Sequence, residues 1–397
     1  MRSISLTTFL SCPIVPRMSL RTRKVDRISQ AARKVLEMGE KLEELERKSF
    51  EEEDYSEVPP DDIVAYNELR SCADLFRMHE QGILDLQPEF QRDLVWSPAD
   101  QTRFIDSLTK QLPIPSMCFA FDHKRQRWIV IDGLQRINTV VKFLKGGDWR
   151  LSRLEDIDAA LVGQHVSALK DPMSPKHSYY SRVENLTIPT TVLRCDLEKR
   201  QHLEYLFTIF HRLNTGGMKL NNQEIRNCIY GGLLNKLLKE LDQHPNWRRL
   251  NRMKPNESYR FTKQELILRF LAFEESFEHY TGHLAKFLND YMHKNRNPAG
   301  QFLDDKRELF ISTVDVVYQH VFQSKPPSRI PTTILEAVLV GVGRQPHRNA
   351  PNVITSLPRK YEELHQHPDF SEVSLAEGLA KRLRVIERLR TAIRIFS

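Results

Sequence analysis

A chain of 397 residues exceeds the roughly 100 to 200 of a typical domain, so two or three compact units are expected. Its 40% hydrophobic and 28% charged composition excludes a fibrous or low-complexity chain, and no apolar run approaches the ~20 residues of a membrane-spanning helix. The formal charge of +7 favours polyanionic partners such as nucleotides and nucleic acids, although ordinary solvated surfaces also carry a surplus of this size.

The opening Met1 to Pro16 weakly imitates a signal peptide, but Ser, Thr and Pro interrupt it; a disordered leader, or Met18 as the true start, is the expectation. Val25 to about Glu53 places Ile28, Ala32, Val35, Leu36, Leu42 and Leu45 at near-helical spacing, which predicts one long exposed helix. Glu51 to Asp54 and the pair Pro59-Pro60 end it, so residues 1–60 form a flexible leader with a helix.

Strand and helix then alternate. Ser71 caps a helix to about Gln81, Gly82 stops it, and Ile83 to Leu86 follows as a short apolar strand. Ser97-Pro98 opens a helix to about Lys110 with Phe104, Ile105 and Leu108 on its buried stripe. Met117 to Phe121 and Trp128 to Ile131 read as strands around a charged turn, and a helix from Leu134 to Leu144 ends at Gly146-Gly147. Arg150 to Thr187 is expected to loop over the surface before a strand at Thr190 to Cys195. Beyond it nearly every segment is helical in pattern: Leu203 to Leu213, Asn222 to Leu241, Lys263 to Phe277, Glu308 to Phe322 and Leu375 to Ile395. The division is an α+β domain over residues 61–197 and a mostly helical domain over 198–397.

The stretch Trp128 to Thr139 is the most informative. An apolar strand runs into Asp132-Gly133 and directly into a helix, so Gly133 sits at the turn, where a glycine lets backbone approach a ligand and helix N–H groups attract anions. Arg136 stands beside that helix end with donors suited to phosphate, and Asp132 can hold magnesium, orient a water or accept from a sugar or base. Taken alone, these residues favour a structural turn with a surface arginine.

Three blocks surround this turn. Upstream lie Pro88-Glu89-Phe90-Gln91-Arg92-Asp93-Leu94-Val95-Trp96 and Leu112-Pro113-Ile114-Pro115; downstream lies Asn214-Thr215-Gly216-Gly217-Met218-Lys219-Leu220-Asn221 with Glu224-Ile225-Arg226. In this order they resemble the N-terminal domain family of GmrSD-type restriction systems, also known as domain of unknown function 262, over roughly Ile63 to Tyr230. The resemblance implies a ParB/sulfiredoxin-like α+β core whose D-G-x-Q-R loop binds and hydrolyses a nucleoside triphosphate with Mg2+. It places Asp132, Gly133, Gln135 and Arg136 at the phosphates, with Asp132 and Arg136 in catalytic roles. Gln91, Arg92, Asn138, Thr139, Asn214, Gly216 and Gly217 complete the nucleotide-binding set. Leu134 stands where the family often has glutamine.

Each block also has a plain structural reading. Arg92 can pair with Asp93 or Glu89, Trp96 reads as a core anchor, and Asn214 to Gly217 can simply end one helix while Asn221 and Glu224 form a capping box on the next. Cys12, Cys72, Cys118, Cys195 and Cys228 form no C-x-x-C pair and read as reduced, mostly buried thiols of a cytoplasmic protein. The 14 histidines lack metal-site spacing, so no metal centre of the protein's own is expected. The basic helix with Lys381, Arg382, Arg384, Arg388, Arg390 and Arg394 either binds a polyanion or packs its apolar stripe.

The expectation is a nucleotide switch in a restriction or phage-defence-like, DNA-related system. DNA, a separate nuclease subunit and a second copy of the chain are its candidate partners. A non-catalytic nucleic-acid-binding module, or a nuclease with an unrecognised metal site, are the rival readings.

Overall fold

The computed structural model describes residues 59–86, 96–213, 220–254, 261–326, 330–371, 374–375 and 379–397. The expected leader and long helix lie outside them, as do Gln91 and Arg92 in 87–95 and Asn214, Gly216 and Gly217 in 214–219.

One mixed sheet organises the α+β half. Strands β1 (Val64–Ser71), β2 (Leu84–Asp85), β3 (Met117–Asp122), β4 (Arg127–Asp132) and β5 (Thr187–Cys195) are arranged in the order β1-β5-β3-β4-β2. β1 runs antiparallel to β5, β5 parallel to β3, β3 antiparallel to β4, and β4 parallel to β2. Strand side chains alternate between faces, and at the central strands β3 and β4 both faces are buried. Met117, Phe119, Trp128, Val130, Ile188 and Val192 pack with α1 (Cys72–Glu80), α2 (Pro98–Thr109), α3 (Leu134–Lys145) and α5 (His177–Asn185). Cys118, Ala120, Ile129, Ile131, Leu193 and Cys195 meet the helical half through α6 (Arg200–Leu213), whose Leu203, Leu206, Phe207 and Phe210 join the same core. Double coverage explains why β3 and β4 read as apolar runs.

Ser71 and Ser97 cap α1 and α2 as expected, each accepting from the N–H three residues on. In this half one strand went unpredicted and one expectation fails. β1, half exposed and mixed in polarity, gave no alternation to read. The stretch Arg150 to Thr187 is not a surface loop: it holds α4 (Val166–Lys170) and α5, and it buries Leu151, Leu161, Val166, Leu169, Tyr180 and Val183. Pro172 and Pro175 lie between these two helices, which are too short to display a helical period.

The helical half continues as α7 (Asn222–Ile229), α8 (Leu233–Leu241), α9 (Pro245–Leu250), α10 (Thr262–Ser276), α11 (Leu284–Lys294), α12 (Gly300–Val316), a π-helical turn (Val317–Val321), α13 (Thr332–Gly343), α14 (Pro351–Gln366) and α15 (Arg382–Phe396). The single helix expected over Asn222 to Leu241 is two. At the break, a Cβ on Gly232 would stand 2.5 Å from the Arg296 carbonyl, and that carbonyl accepts from the Leu234 N–H. The last helix begins at Arg382, because Lys381 is extended. Its apolar stripe packs, with Ala392 and Phe396 closing on Gly341 of α13; Arg388 is buried and donates to the Leu379 carbonyl, while Arg382, Arg390 and Arg394 stay exposed. Cys72, Cys118 and Cys195 are thiols, and burial pushes each up to about 12.

Helix α7 carries the E-I-R block. Asn221 accepts from the Glu224 N–H at 2.9 Å while the Glu224 carboxylate accepts from the Asn221 N–H at 2.6 Å, the expected capping box. Arg226 turns inward and is 1% exposed. Its guanidinium donates to Asn289 Oδ1 at 2.8 Å and to Glu265 Oε2 at 2.9 Å, and Glu265 also accepts from Arg269 at 2.7 Å. A chain of buried amides, Gln223 to Asn227 to Gln264 to Asn235, runs beside it.

Burial pushes the Glu265 carboxyl up, but Arg269 and Arg226 outweigh it and hold it below its ordinary range. A depressed folded-state pKa contributes stability that is present above the unfolded value of about 4.3 and is lost as pH falls through the folded one. Arg226→Ala is therefore expected to lower the unfolding free energy by about 3–5 kcal/mol in urea titrations at pH 7. The deficit relative to wild type should shrink as Glu265 protonates below about pH 4. Equal stability of the two proteins at neutral pH would show that the network does not support the core.

Candidate functional site

The site is built at the end of β4. Asp132 is the last residue of the strand, Leu134 the first of α3, and Gly133 alone joins them at φ +98° and ψ 10°. This is the left-handed region that side chains disfavour. Space enforces the same choice, since a Cβ here would lie 2.9 Å from Met117 Cγ and 3.2 Å from its Cβ. Gly133 gives α3 no side-chain cap. The first N–H groups of a helix have no partner within it, so the start of α3 is a donor set at the positive end of a three-turn dipole.

Asp132 and Arg136 face each other across this turn. Arg136 Nη2 donates to Asp132 Oδ2 at 2.8 Å and to the Ser116 carbonyl at 3.3 Å, while Nη1 donates to the Pro115 carbonyl. The arginine side chain is 12% exposed and the aspartate 43%. Arg136 thus ties the approach to β3 to the end of β4, and the carboxylate it orients is the solvent-facing member of the pair. The Pro115 carbonyl is a partner that sequence reasoning missed. Its only signal was the Pro113 and Pro115 turn, which says where a chain bends but not what its carbonyls accept.

Gln135 also has a scaffold role, because its Oε1 accepts from the Trp96 N–H at 3.1 Å. Trp96 packs edge-to-face on Phe104 at 5.2 Å, the expected core anchor. Gln101 holds the same turn through the Trp96 carbonyl. Thr139 is buried and donates its hydroxyl back to the Gln135 carbonyl at 2.8 Å. Asn138 is half-buried. The structure therefore brings Asp132, Gly133, Gln135 and Arg136 together at one turn and sets Thr139 into the helix packing.

Among the described residues no group of three or more His, Cys, Asp and Glu is placed to hold a metal ion, and no helix is long and apolar enough to cross a membrane. A groove of about 490 Å3 lies elsewhere, along α12 and the π-helical turn, lined by Arg307, Ile311, Ser312, Asp315, Val316 and His320 among others. It shares no residue with the Gly133 turn. Its cations are engaged: Arg307 with Glu240, and Arg348 at its border with Ser312.

Gly133→Ala combines the left-handed backbone with the Met117 contact and should lower stability by about 1–3 kcal/mol or more. Gly82→Ala, at φ +69° with no neighbour within 4 Å, isolates the backbone component. Equal losses in thermal or urea unfolding of the two variants would mean that the Met117 contact adds nothing.

Residues 72–231 match the family model described as GmrSD restriction endonuclease, N-terminal domain. No curated protein and no solved structure matches the chain. The matched range begins with α1, contains the Gly133 turn and the Asp132–Arg136 pair, and ends after α7. The sequence blocks and the mixed sheet flanked by helices agree with it, and residues 72–231 are accordingly an α+β unit similar to the GmrSD restriction endonuclease N-terminal domain.

Proposed function

We propose that residues 72–231 form a ParB/sulfiredoxin-like domain that binds a magnesium nucleoside triphosphate at the Gly133 turn and hydrolyses it slowly. The nucleotide acts as a switch in a restriction or phage-defence-like system that handles foreign DNA. The observation that carries this reading is the uncapped start of α3 behind a glycine that no other residue can replace without strain, with an exposed carboxylate beside it.

Phosphate oxygens would accept from the N–H groups of the first turn of α3, as anions do at helix starts. Asp132 fits a magnesium ion of the kind that keeps several waters and is held by one or two carboxylates and the phosphates. Such an ion would neutralise charge on the phosphate oxygens. Arg136 orients Asp132 and steadies the Pro115–Ser116 approach, so its removal both frees the carboxylate and loosens the rim of the site. A separate nuclease subunit supplies cleavage in this scheme.

A second reading, a nucleic-acid-binding module without turnover, has its own observation. Arg248, Arg249, Arg252 and Lys254 cluster at α9 and the residues after it. Arg248 and Arg249 donate to the amide oxygens of Gln243 and Asn246, and Arg252 to the Pro326 carbonyl.

Calorimetric titration of ATP, GTP, CTP and UTP with magnesium separates the two. Selective binding of one triphosphate, weakened at least about tenfold (about 1.4 kcal/mol) in Arg136→Ala, supports the switch. Unchanged affinity in Arg136→Ala, or no binding to any of the four, removes it. DNA binding that falls steeply with salt and ignores nucleotide supports the second reading.

A further inference from the structure

The two edges of the sheet are unlike. β2 is only two residues long, a blunted edge of the kind that resists strand addition. β1 is eight residues long and pairs with β5 in unbroken register from Val64 opposite Arg194 to Ser71 opposite Thr187. Among the described residues no strand pairs with its outer side. It contains no proline, no lysine and no bulge. Its two charges do not guard the edge either. Arg70 donates to Glu68 and to Asp74, each at 2.5 Å, and lies over the Trp128 ring at 4.5 Å, so both charges are engaged by neighbours and drawn onto the sheet. Exposed apolar side chains line the strand instead: Val64 is 49% exposed, Tyr66 37% and Leu69 69%.

We infer that this edge is a homodimer interface, in which a second copy of the chain adds its own β1 antiparallel and joins two sheets into one. Opposite residues of an antiparallel pair share a face, so a two-fold axis normal to the sheet must pass through a residue rather than between residues. An axis through Asn67 engages the strand from Val64 to Arg70. It sets Asn67 against Asn67, Ala65 against Leu69, Tyr66 against Glu68, and Val64 against Arg70. Each pair is apolar, amphipathic or neutral. An axis through Glu68 would oppose two carboxylates, which is destabilising, and an axis through Tyr66 or Leu69 shortens the ladder. The sequence of β1 is therefore complementary to itself in one register, and this selects a second copy over an unrelated strand.

The test uses the full chain. Sedimentation velocity over a concentration series should give the mass of two chains, and Leu69→Lys, at a side chain already in solvent, should return the mass of one at the same concentration with unchanged far-ultraviolet circular dichroism. Asn67→Cys should form an intermolecular disulfide under mild oxidation, since directly opposed Cβ atoms lie about 4.5–5.5 Å apart. Leu69→Cys, opposite Ala65, should cross-link far less. A wild-type chain that stays single at every concentration overturns the proposal, as does a dimer indifferent to Leu69→Lys. Preferential cross-linking through Leu69→Cys overturns the register.

Discussion

The backbone leaves β4 at Asp132 and enters α3 at Leu134 with Gly133 alone between them, and the positions of the site residues follow from that single joint. Met117, at the start of the neighbouring β3, fills the space where a side chain would project. The joint can be this short because its residue is glycine, and only a short joint brings a strand end and a helix start close enough for Asp132 and Arg136, one helical turn apart, to meet at 2.8 Å. The same guanidinium reaches the Pro115 and Ser116 carbonyls and so aligns the approach to β3 with the end of β4. A turn, an ion pair and a loop anchor share one side chain.

Coverage of the sheet on both faces makes this joint rigid. α1, α2, α3 and α5 bury one face, and the helical half buries the other through α6. The matched family range extends past the sheet to residue 231 for a physical reason. α6 supplies part of the sheet's cover, and α7 anchors the region beyond it through Arg226, Glu265 and Asn289. Charges so deep in a core are tolerated because each is matched and hydrogen-bonded. The E-I-R block thus has a structural role in α7, with Glu224 spent on the helix cap and Arg226 on the core.

Much of the fold was legible along the chain. Ser71, Ser97 and Asn221 announced helix starts because a cap is a local interaction between a side chain and a backbone three residues away. β3 and β4 were legible because burial on both faces makes an apolar run. β1 was not, since an edge strand with one half-exposed face carries Tyr66, Asn67, Glu68 and Arg70 in a sequence that reads as polar chain. α4 and α5 escaped because each is too short to show a period, and the break at Gly232 escaped because the carbonyl that forces it belongs to Arg296, far along the chain.

The sequence by itself determined the turn: an apolar strand, a glycine and a helix start are adjacent, so their conformations are set by local sterics and backbone hydrogen bonding. It also carried the ordered blocks by which the family is recognised. Only the tertiary structure decided what each polar side chain does there. Arg136 is held by carbonyls of residues 115 and 116, Gln135 by the Trp96 backbone, and Arg226 by residues of α10 and α11. The basic last helix is amphipathic in sequence, yet its partner, the small-residue face at Gly341, becomes visible only when α13 lies against it. Such roles depend on which distant groups arrive within about 3 Å, a distance set by packing and not by neighbours along the chain.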